Sequence, residues 1–110
     1  MYESLKDHSK DFHLFIFAFD DRSYELLSKL NLESVTVISL LEFEDEELLS
    51  IKSDRTPGEY CWTCTPSIIK YCIENYSLDS CTYLDADLYF FSNPDVLINE
   101  MADKSVLITK

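Results

Sequence analysis

The segment from Phe12 to Phe19 constrains the fold most, because seven of its eight residues are apolar. A run this apolar has no face to turn towards water, which favours a strand buried on both faces, as in a parallel sheet. Val35 to Leu40 is rich in β-branched residues and is predicted as a second strand. Ser23 to Leu32, between them, has leucines at helical spacing. The order strand, helix, strand predicts two parallel strands joined by a crossover helix.

The rest of the chain continues this alternation. The fold class that we expect is α/β, with a Rossmann-like, mostly parallel sheet covered by helices in one partial domain over residues 1–110. A helix at the first residue and a strand at the last are expected of a domain truncated at both ends. The remaining predicted helices span Met1 to Ser9, Glu42 to Ile51, Glu59 to Tyr76 and Ser92 to Met101. The remaining predicted strands span Cys81 to Leu84, with Leu88 to Phe91 as its extension, and Ser105 to Thr109.

Pro66 leaves the start of the fourth helix open. A proline inside a helix removes one backbone donor and clashes with the preceding turn, so the helix is expected either to kink at Pro66 or to begin there. In the second case Thr65 would be the N-cap and Pro66 would occupy the first turn. Lys52 to Gly58 is polar, contains Pro57-Gly58 and is predicted as a loop.

The chain is strongly acidic, with 21 Asp and Glu against 9 Lys and Arg and a formal net charge of -12. Such a charge repels polyanions, so we expect no nucleic-acid partner. Gly58 is the only glycine, where average usage predicts roughly eight. Glycine-rich loops that bind phosphates through backbone N–H groups are therefore absent from the sequence. A phosphate ester would have to be bound through side chains or a divalent metal.

The sequence also bears on location. The first 30 residues contain no apolar segment behind a basic one, so no signal peptide is predicted. The apolar run that ends at Phe19 is too short to cross a bilayer, and no transmembrane segment is expected. We therefore expect a cytoplasmic protein with reduced thiols.

The four cysteines are expected to pack in the core. Cys61 and Cys64 form a C-x-x-C pair, but a polar loop precedes it rather than the strand of a thioredoxin-type site. The spacing to Cys72 and Cys81 differs from that of paired zinc knuckles. Cys61, Cys64, Ile68 and Cys72 instead form one helical stripe, and a buried free cysteine behaves as a small hydrophobe.

Two carboxylates follow the predicted strand Cys81 to Leu84. Alternate residues of an extended backbone point to the same side, so Asp85 and Asp87 are expected to project together, with the small Ala86 between them. Oxygen-rich sites of this kind suit Mg²⁺ or Mn²⁺. The alternative is a pair of acids in a turn. Asp20-Asp21 is interpreted more simply, as the N-cap of the helix that follows.

The run CTYLDADLYFFSNPDVLINEM resembles the D-x-D region of nucleotide-sugar glycosyltransferases of the A-type fold. In that family a buried strand delivers Y-L-D-x-D, followed by an apolar stretch and a D/N-P turn into a helix. FHLFIFAFDD, VTVISL and EYCWTCTPSIIKY resemble the first half of such a domain in a bacterial nucleotide-diphospho-sugar transferase family. The resemblance covers essentially the whole chain in element order, and its specific part is the region of Asp85.

The resemblance implies transfer of a sugar from a nucleotide-diphosphate sugar donor to the hydroxyl of an unknown acceptor, with Mn²⁺ or Mg²⁺ as cofactor. Asp87 would ligate the metal directly, and Asp85 would contact the metal or the donor's ribose or sugar. Arg55 would substitute for a basic residue that related enzymes carry before the D-x-D strand, or is a solvated loop cation. Thr63 and Thr65 would offer hydroxyls to the donor, or only cap a helix. No catalytic residue is assigned, and the fragment alone is expected to be inactive or nearly so.

Two other functions compete with transfer. A phosphatase of the haloacid dehalogenase type also has a D-x-D pair after an apolar strand. That motif normally continues with Thr or Val near the start of its domain, whereas Leu88 follows here and the pair lies late in the chain. The other alternative is a non-catalytic remnant of a glycosyltransferase domain that serves as an interaction module.

Overall fold

The structure, a computed structural model, describes residues 1–104 and residue 108. The chain divides into two compact units. The sheet unit is His13–Tyr83, and the terminal unit combines Met1–Phe12 with the described residues from Leu84 onward. In chain order the elements are α1 (Tyr2–His8), β1 (Leu14–Ala18), α2 (Asp21–Leu30), β2 (Val35–Ser39), α3 (Leu40–Phe43), α4 (Glu46–Lys52), α5 (Pro57–Tyr76) and α6 (Asp95–Met101).

The order β1-α2-β2 forms as the sequence predicts, but residues 14–17 of β1 are half-buried, so the expected burial on both faces is wrong for most of this strand. β1 and β2 pair in parallel, with a register that runs from Leu14 opposite Val35 to Ala18 opposite Ser39. The crossover helix α2 is capped at its start by Asp20, whose Oδ1 accepts a hydrogen bond of 2.8 Å from the backbone N–H of Ser23. The prediction that this acid caps a helix is confirmed.

The core of the sheet unit lies between the sheet and the helices that follow it. Its buried members are Ile38, Phe43, Leu48, Tyr60 and Cys64. Alternate residues of the β1 region, namely Phe15, Phe17 and Phe19, pack against this cluster from one face of the sheet. The Phe17 ring meets those of Phe43 and Tyr71 edge-on, at centroid distances of 5.0 Å and 5.7 Å.

The predicted helix over Glu42 to Ile51 is two helices. Each has its own N-cap. The Ser39 hydroxyl accepts a hydrogen bond from the Glu42 N–H at the start of α3, and the Asp45 carboxylate accepts one of 2.8 Å from the Leu48 N–H at the start of α4. Local capping therefore restarts the helix after Glu44, which overrides the continuous acidic pattern.

Helix α5 begins earlier than either sequence prediction placed it. It runs without a break through Pro66, so the alternative in which Thr65 caps a helix that starts at Pro66 is wrong. Thr56 is the N-cap and forms a capping box with Glu59, and Pro57 occupies the first turn, where a missing N–H costs little. The predicted loop Lys52 to Gly58 shrinks accordingly to residues 53–56.

The terminal unit contains α1 and α6. Ser4 is buried, and its hydroxyl donates to the Met1 carbonyl at 2.8 Å and accepts from the Phe90 N–H at 3.1 Å. The Asn93 side chain accepts a hydrogen bond of 2.9 Å from the Asp95 N–H, which starts α6 as the sequence predicts.

The prediction of strands over Cys81 to Leu84 and Leu88 to Phe91 is wrong for the structure as described. Neither segment joins the sheet, which has two strands within residues 1–104 and 108. A strand needs a ladder of backbone hydrogen bonds to a neighbouring strand. Within the described residues, the backbone groups of residues 81–84 make no backbone hydrogen bonds. The predicted strand Ser105 to Thr109 lies outside the described residues except for Ile108. The α/β class is confirmed at this coarse level.

Within residues 1–104 and 108, no helix is both long and apolar enough to cross a membrane.

Candidate metal and donor site

Asp85 and Asp87 lie in a turn of the terminal unit. The Leu88 N–H donates to the Asp85 carbonyl at 3.2 Å, which closes the turn around Ala86 and Asp87. Asp is favoured at the first position of such turns. The expectation that the two acids sit in extended backbone after a strand is therefore corrected to two acids that share one tight turn.

Both side chains are exposed. Within the residues that the structure describes, neither carboxylate has a hydrogen-bond or ion-pair partner. An ionised carboxylate offers two oxygens and about four lone-pair sites. The turn thus presents exposed carboxylates that form no ion pair with any cation of the described residues.

The turn does not form a complete metal cage. No group of three or more His, Cys, Asp or Glu side chains in the described part of the chain is arranged to hold a metal ion. Mg²⁺ commonly binds through one or two carboxylates and keeps its other positions for water and substrate phosphates. Two exposed, unpaired acids fit that mode of binding and do not fit an all-protein site.

The other predicted donor-binding residues belong to the sheet unit. Arg55 is exposed in the loop between α4 and α5. Its positive charge adds to the two hydrogen bonds from Thr56 that lower the pKa of Glu59. Thr63 is half-buried on α5 and its hydroxyl donates to the Glu59 carbonyl at 2.8 Å, which is a bond within its own helix. Thr65 is half-buried in the interior of the same helix.

A partly buried polar cluster that the sequence did not reveal joins Glu44, Lys52 of α4 and Tyr60 of α5. Oε1 of Glu44, whose side chain is 9% exposed, is 2.6 Å from Lys52 Nζ and accepts a hydrogen bond of 2.7 Å from the Tyr60 hydroxyl. Lys52 Nζ also lies 5.4 Å from the centroid of the Tyr60 ring. Burial, together with the bond to Glu44, raises the pKa of Tyr60. These residues come from three separate elements, so no sequence periodicity links them.

The cysteines divide into buried and half-buried pairs. Cys64 and Cys72 are fully buried on α5, which confirms core packing for these two, whereas Cys61 and Cys81 are half-buried. All four are free thiols. Burial raises the pKa of the Cys64 thiol, and burial, together with the influence of Cys81, raises the pKa of Cys72 to about 11.

Comparison with known proteins identifies relatives and no family. No family model matches the chain, and no solved structure matches it. The chain is 39% identical over 110 residues to uncharacterized protein YfnD of Bacillus subtilis (strain 168), an alignment that covers 99% of the chain and 35% of that relative. It is 31% identical over 111 residues to uncharacterized protein YfnF of the same strain, covering 100% of the chain and 37% of that relative. The chain therefore spans about a third of the length of the curated relatives that it matches.

Proposed function

We propose that this chain is the metal- and donor-binding part of a glycosyltransferase that moves a sugar from a nucleotide-diphosphate sugar to an acceptor hydroxyl. The observation that carries the proposal is the Asp85–Leu88 turn, which holds two exposed carboxylates that have no hydrogen-bond or ion-pair partner among residues 1–104 and 108. The resemblance of the surrounding sequence to the D-x-D region of A-type glycosyltransferases supplies the class of reaction. The proposal extends to a Rossmann-like sheet for the whole domain and to a cytoplasmic location.

In this proposal Asp87 holds a divalent cation directly, and Asp85 contacts the cation or the donor's ribose or sugar. Mn²⁺ or Mg²⁺ bound there would act as a Lewis acid that stabilises the negative charge of the departing nucleoside diphosphate. The cation also reconciles an anionic donor with a protein of net charge -12. Two carboxylates alone would bind such an ion weakly, and the donor's phosphate oxygens would supply further ligands.

The resemblance also assigns donor contacts to Arg55, Thr63 and Thr65, and each assignment is argued from that residue's own surroundings. Arg55 is exposed in a loop, and its guanidinium suits a diphosphate because it donates two parallel hydrogen bonds. Thr63 and Thr65 are assigned hydroxyl contacts to the donor. The Thr63 hydroxyl already donates to a carbonyl of its own helix, so it would meet the donor as an acceptor.

Paramagnetic broadening by Mn²⁺ tests the metal site, since it detects weak binding residue by residue. On titration of the ¹⁵N-labelled chain with Mn²⁺, the amide signals of residues 85–88 should broaden first, and UDP should strengthen the effect. Asp87→Asn should remove this selectivity, and Asp85→Asn should weaken it. Asp79→Asn is the matched control, because it removes one charge from an exposed acid nearby in the sequence.

The outcomes separate the metal site from general attraction to an acidic surface. Selective broadening that survives in Asp79→Asn and disappears in Asp87→Asn supports the proposal. Broadening spread equally over the acidic surface, or unchanged in Asp87→Asn, contradicts it. Sugar transfer itself is to be measured with the whole protein to which this chain corresponds, comparing Asp87→Asn with Asp79→Asn.

A second candidate, a non-catalytic interaction module, is favoured by the apolar surface of the terminal unit. Exposed apolar side chains cluster in sequence on both sides of the start of α6; they are Leu88, Tyr89, Phe91, Val96, Leu97 and Ile98. Large exposed apolar side chains that form a common patch mark an interface, and the rings of Tyr89 and Phe91 are in contact, with centroids 4.9 Å apart. Mn²⁺ and UDP binding at the turn with no sugar transfer by the whole protein would favour this candidate.

A further inference from the structure

An aromatic pair follows the acidic turn directly in the terminal unit. Tyr89 and Phe91 are 65% and 85% exposed, and their ring centroids are 4.9 Å apart with an angle of 55° between the ring planes. That separation lies in the range of favourable contacts between aromatic rings. Both rings therefore project to the same side of the chain and present most of their surface to solvent, and we call this pair the aromatic platform.

The backbone between the two rings is held in place. Phe90, the residue between them, is half-buried, and its N–H donates to the Ser4 hydroxyl at 3.1 Å. Ser4 is 3% exposed, and its hydroxyl also donates to the Met1 carbonyl at 2.8 Å. Because the central residue is fixed to a buried side chain of helix α1, the platform is ordered before a ligand arrives, which lowers the entropic cost of binding on it.

We propose that the aromatic platform stacks the base of the nucleoside diphosphate whose phosphates the Asp85–Leu88 turn binds through a divalent cation. This inference rests on the proposed function, and it names the part of the donor that lies against Tyr89 and Phe91. Tyr89 follows Asp87 by two positions and Phe91 by four, so their Cα atoms lie within about 7 Å and about 14 Å of that of Asp87. The platform is therefore within reach of a base that is separated from its phosphates by one ribose.

The chemistry of the platform suits a base better than a sugar. A sugar ring needs hydrogen-bond partners for its hydroxyls, and the side chains of residues 88–91 offer one polar group, the Tyr89 hydroxyl. A base instead presents a flat π-face to an aromatic ring. The two rings are too close together to hold a base between them, so the base stacks on an outer face. Stacking reads no hydrogen-bond pattern, so the platform accepts purine and pyrimidine bases alike.

The test compares UDP with ribose 5-diphosphate, which keeps the ribose and both phosphates of UDP but lacks its base. Each is titrated with excess Mg²⁺ into the ¹⁵N-labelled chain, and the amide shifts of residues 85–91 give the dissociation constants. We expect UDP to bind at least about fivefold more tightly, the lower end of the gain that stacking on an aromatic side chain provides. ADP should gain at least as much. The ring proton signals of Tyr89 and Phe91 should shift with UDP or ADP and stay in place with ribose 5-diphosphate.

Variants assign the gain to the rings. Tyr89→Leu and Phe91→Leu keep an apolar side chain but remove the π-face. Each should lower the preference for UDP over ribose 5-diphosphate and leave the binding of ribose 5-diphosphate unchanged. Val96→Ser is the matched control, because it removes an aliphatic side chain that is 61% exposed in α6, and it should keep the wild-type preference.

The outcomes separate this inference from the proposed function. If ribose 5-diphosphate binds at the turn but UDP binds no more tightly, or if both leucine variants keep the preference for UDP, the platform alone is overturned. An equal loss of preference in Val96→Ser also overturns it, since general apolar contact would then explain the binding. If Mg²⁺ and both diphosphates leave the signals of residues 85–88 unchanged, the platform and the proposed function fail together.

Discussion

At the scale of single residues, many of the acids of this protein act on its own backbone. Asp20, Asp45 and Glu59 accept hydrogen bonds from backbone N–H groups at helix starts. These contacts are local, within three positions in sequence, so they were open to prediction, and the capping role of Asp20 was predicted. Asp85 and Asp87 differ because their carboxylates bond to no described protein group, which is the reason that we assign them to a ligand.

The Glu44–Lys52–Tyr60 cluster shows where residue-scale prediction fails. Lys52 and Tyr60 lie eight and sixteen positions after Glu44 in the sequence. Only the packing of α4 against α5 brings the three residues together. In the sequence, Glu44 is one member of the acidic run Glu42 to Glu47, a pattern that by itself is typical of a solvated helix face. Its side chain is instead largely buried, because a lysine and a tyrosine satisfy the same carboxylate oxygen.

Tyr60→Phe tests this cluster. The variant keeps the ring in the core and removes the donor to Glu44, which still pairs with Lys52. We expect the free energy of unfolding to fall by about 1.5 kcal/mol, the lower end of the range for hydrogen bonds to charged groups. Urea denaturation at neutral pH measures the loss. Tyr83→Phe is the control, since its exposed ring carries a hydroxyl for which no partner is described, and it should change stability little.

The same variant has a predicted pH dependence. The pKa of Tyr60 is raised in the folded protein, so its contribution to stability is complete below the ordinary tyrosine pKa and declines as the pH rises above it. Wild-type stability should therefore fall in alkaline solution, and Tyr60→Phe should show a smaller fall than Tyr83→Phe. An equal loss of stability at alkaline pH in Tyr60→Phe and Tyr83→Phe would contradict a buried hydroxyl at position 60.

At the scale of elements, patterns with a strong local cause were predicted correctly. α1, β1, α2, β2 and α6 appear near their predicted positions because periodicity, β-branching and capping agree there. The strand predicted over Cys81 to Leu84 does not form within the described residues, because a strand depends on a partner that its own four residues do not specify. The Asp85–Leu88 turn was only the alternative interpretation, although aspartate at its first position was a usable signal.

Pro66 supplies an element-scale prediction. It is exposed in the interior of the 20-residue helix α5, where a proline costs about 3 kcal/mol relative to alanine. Pro66→Ala restores a backbone donor to the Trp62 carbonyl but also makes the unfolded chain more flexible, which offsets up to about 1 kcal/mol. We expect a net stabilisation of about 2 kcal/mol, measured by thermal and urea denaturation.

The control for this variant is Pro57→Ala at the first turn of the same helix. There the missing N–H has no helical partner, so the substitution should leave stability unchanged or slightly lower it. If Pro66→Ala instead lowers stability, and by more than Pro57→Ala does, the expectation is contradicted. The helix would then have a backbone adapted to Pro66 rather than strained by it.

At the scale of the whole molecule, the net charge and the exposed apolar surface have opposite effects on self-association. The net charge is -12 and the isoelectric point of the sequence is about 4.3, so molecules repel one another at neutral pH. Large apolar side chains are nevertheless exposed in both units, including Trp62 at 77% and Phe91 at 85%. The composition predicted the repulsion, but the exposed apolar positions could be identified only from the fold.

Lowering the pH should therefore cause self-association. As carboxylates take up protons between pH 7 and pH 4.5, repulsion declines while the apolar surface remains, so we expect the average particle size in dynamic light scattering to rise. Phe91→Ser and Trp62→Ser should each shift the onset to lower pH if their surfaces make the contact. The control is Thr82→Ser, at an exposed polar position, which should behave as the wild type. Leu78→Ser is unsuitable as a control because Leu78 is half-buried.

The hydrogen bond from the Phe90 N–H to the Ser4 hydroxyl joins positions 86 apart in sequence. The backbone just beyond the acidic turn is thus anchored to the first helical turn of the chain. An affinity tag or a deletion at the amino terminus would act directly on the support of Asp85 and Asp87, although neither change comes near them in the sequence. Protein made for metal titrations should therefore keep helix α1 intact and carry any tag away from it.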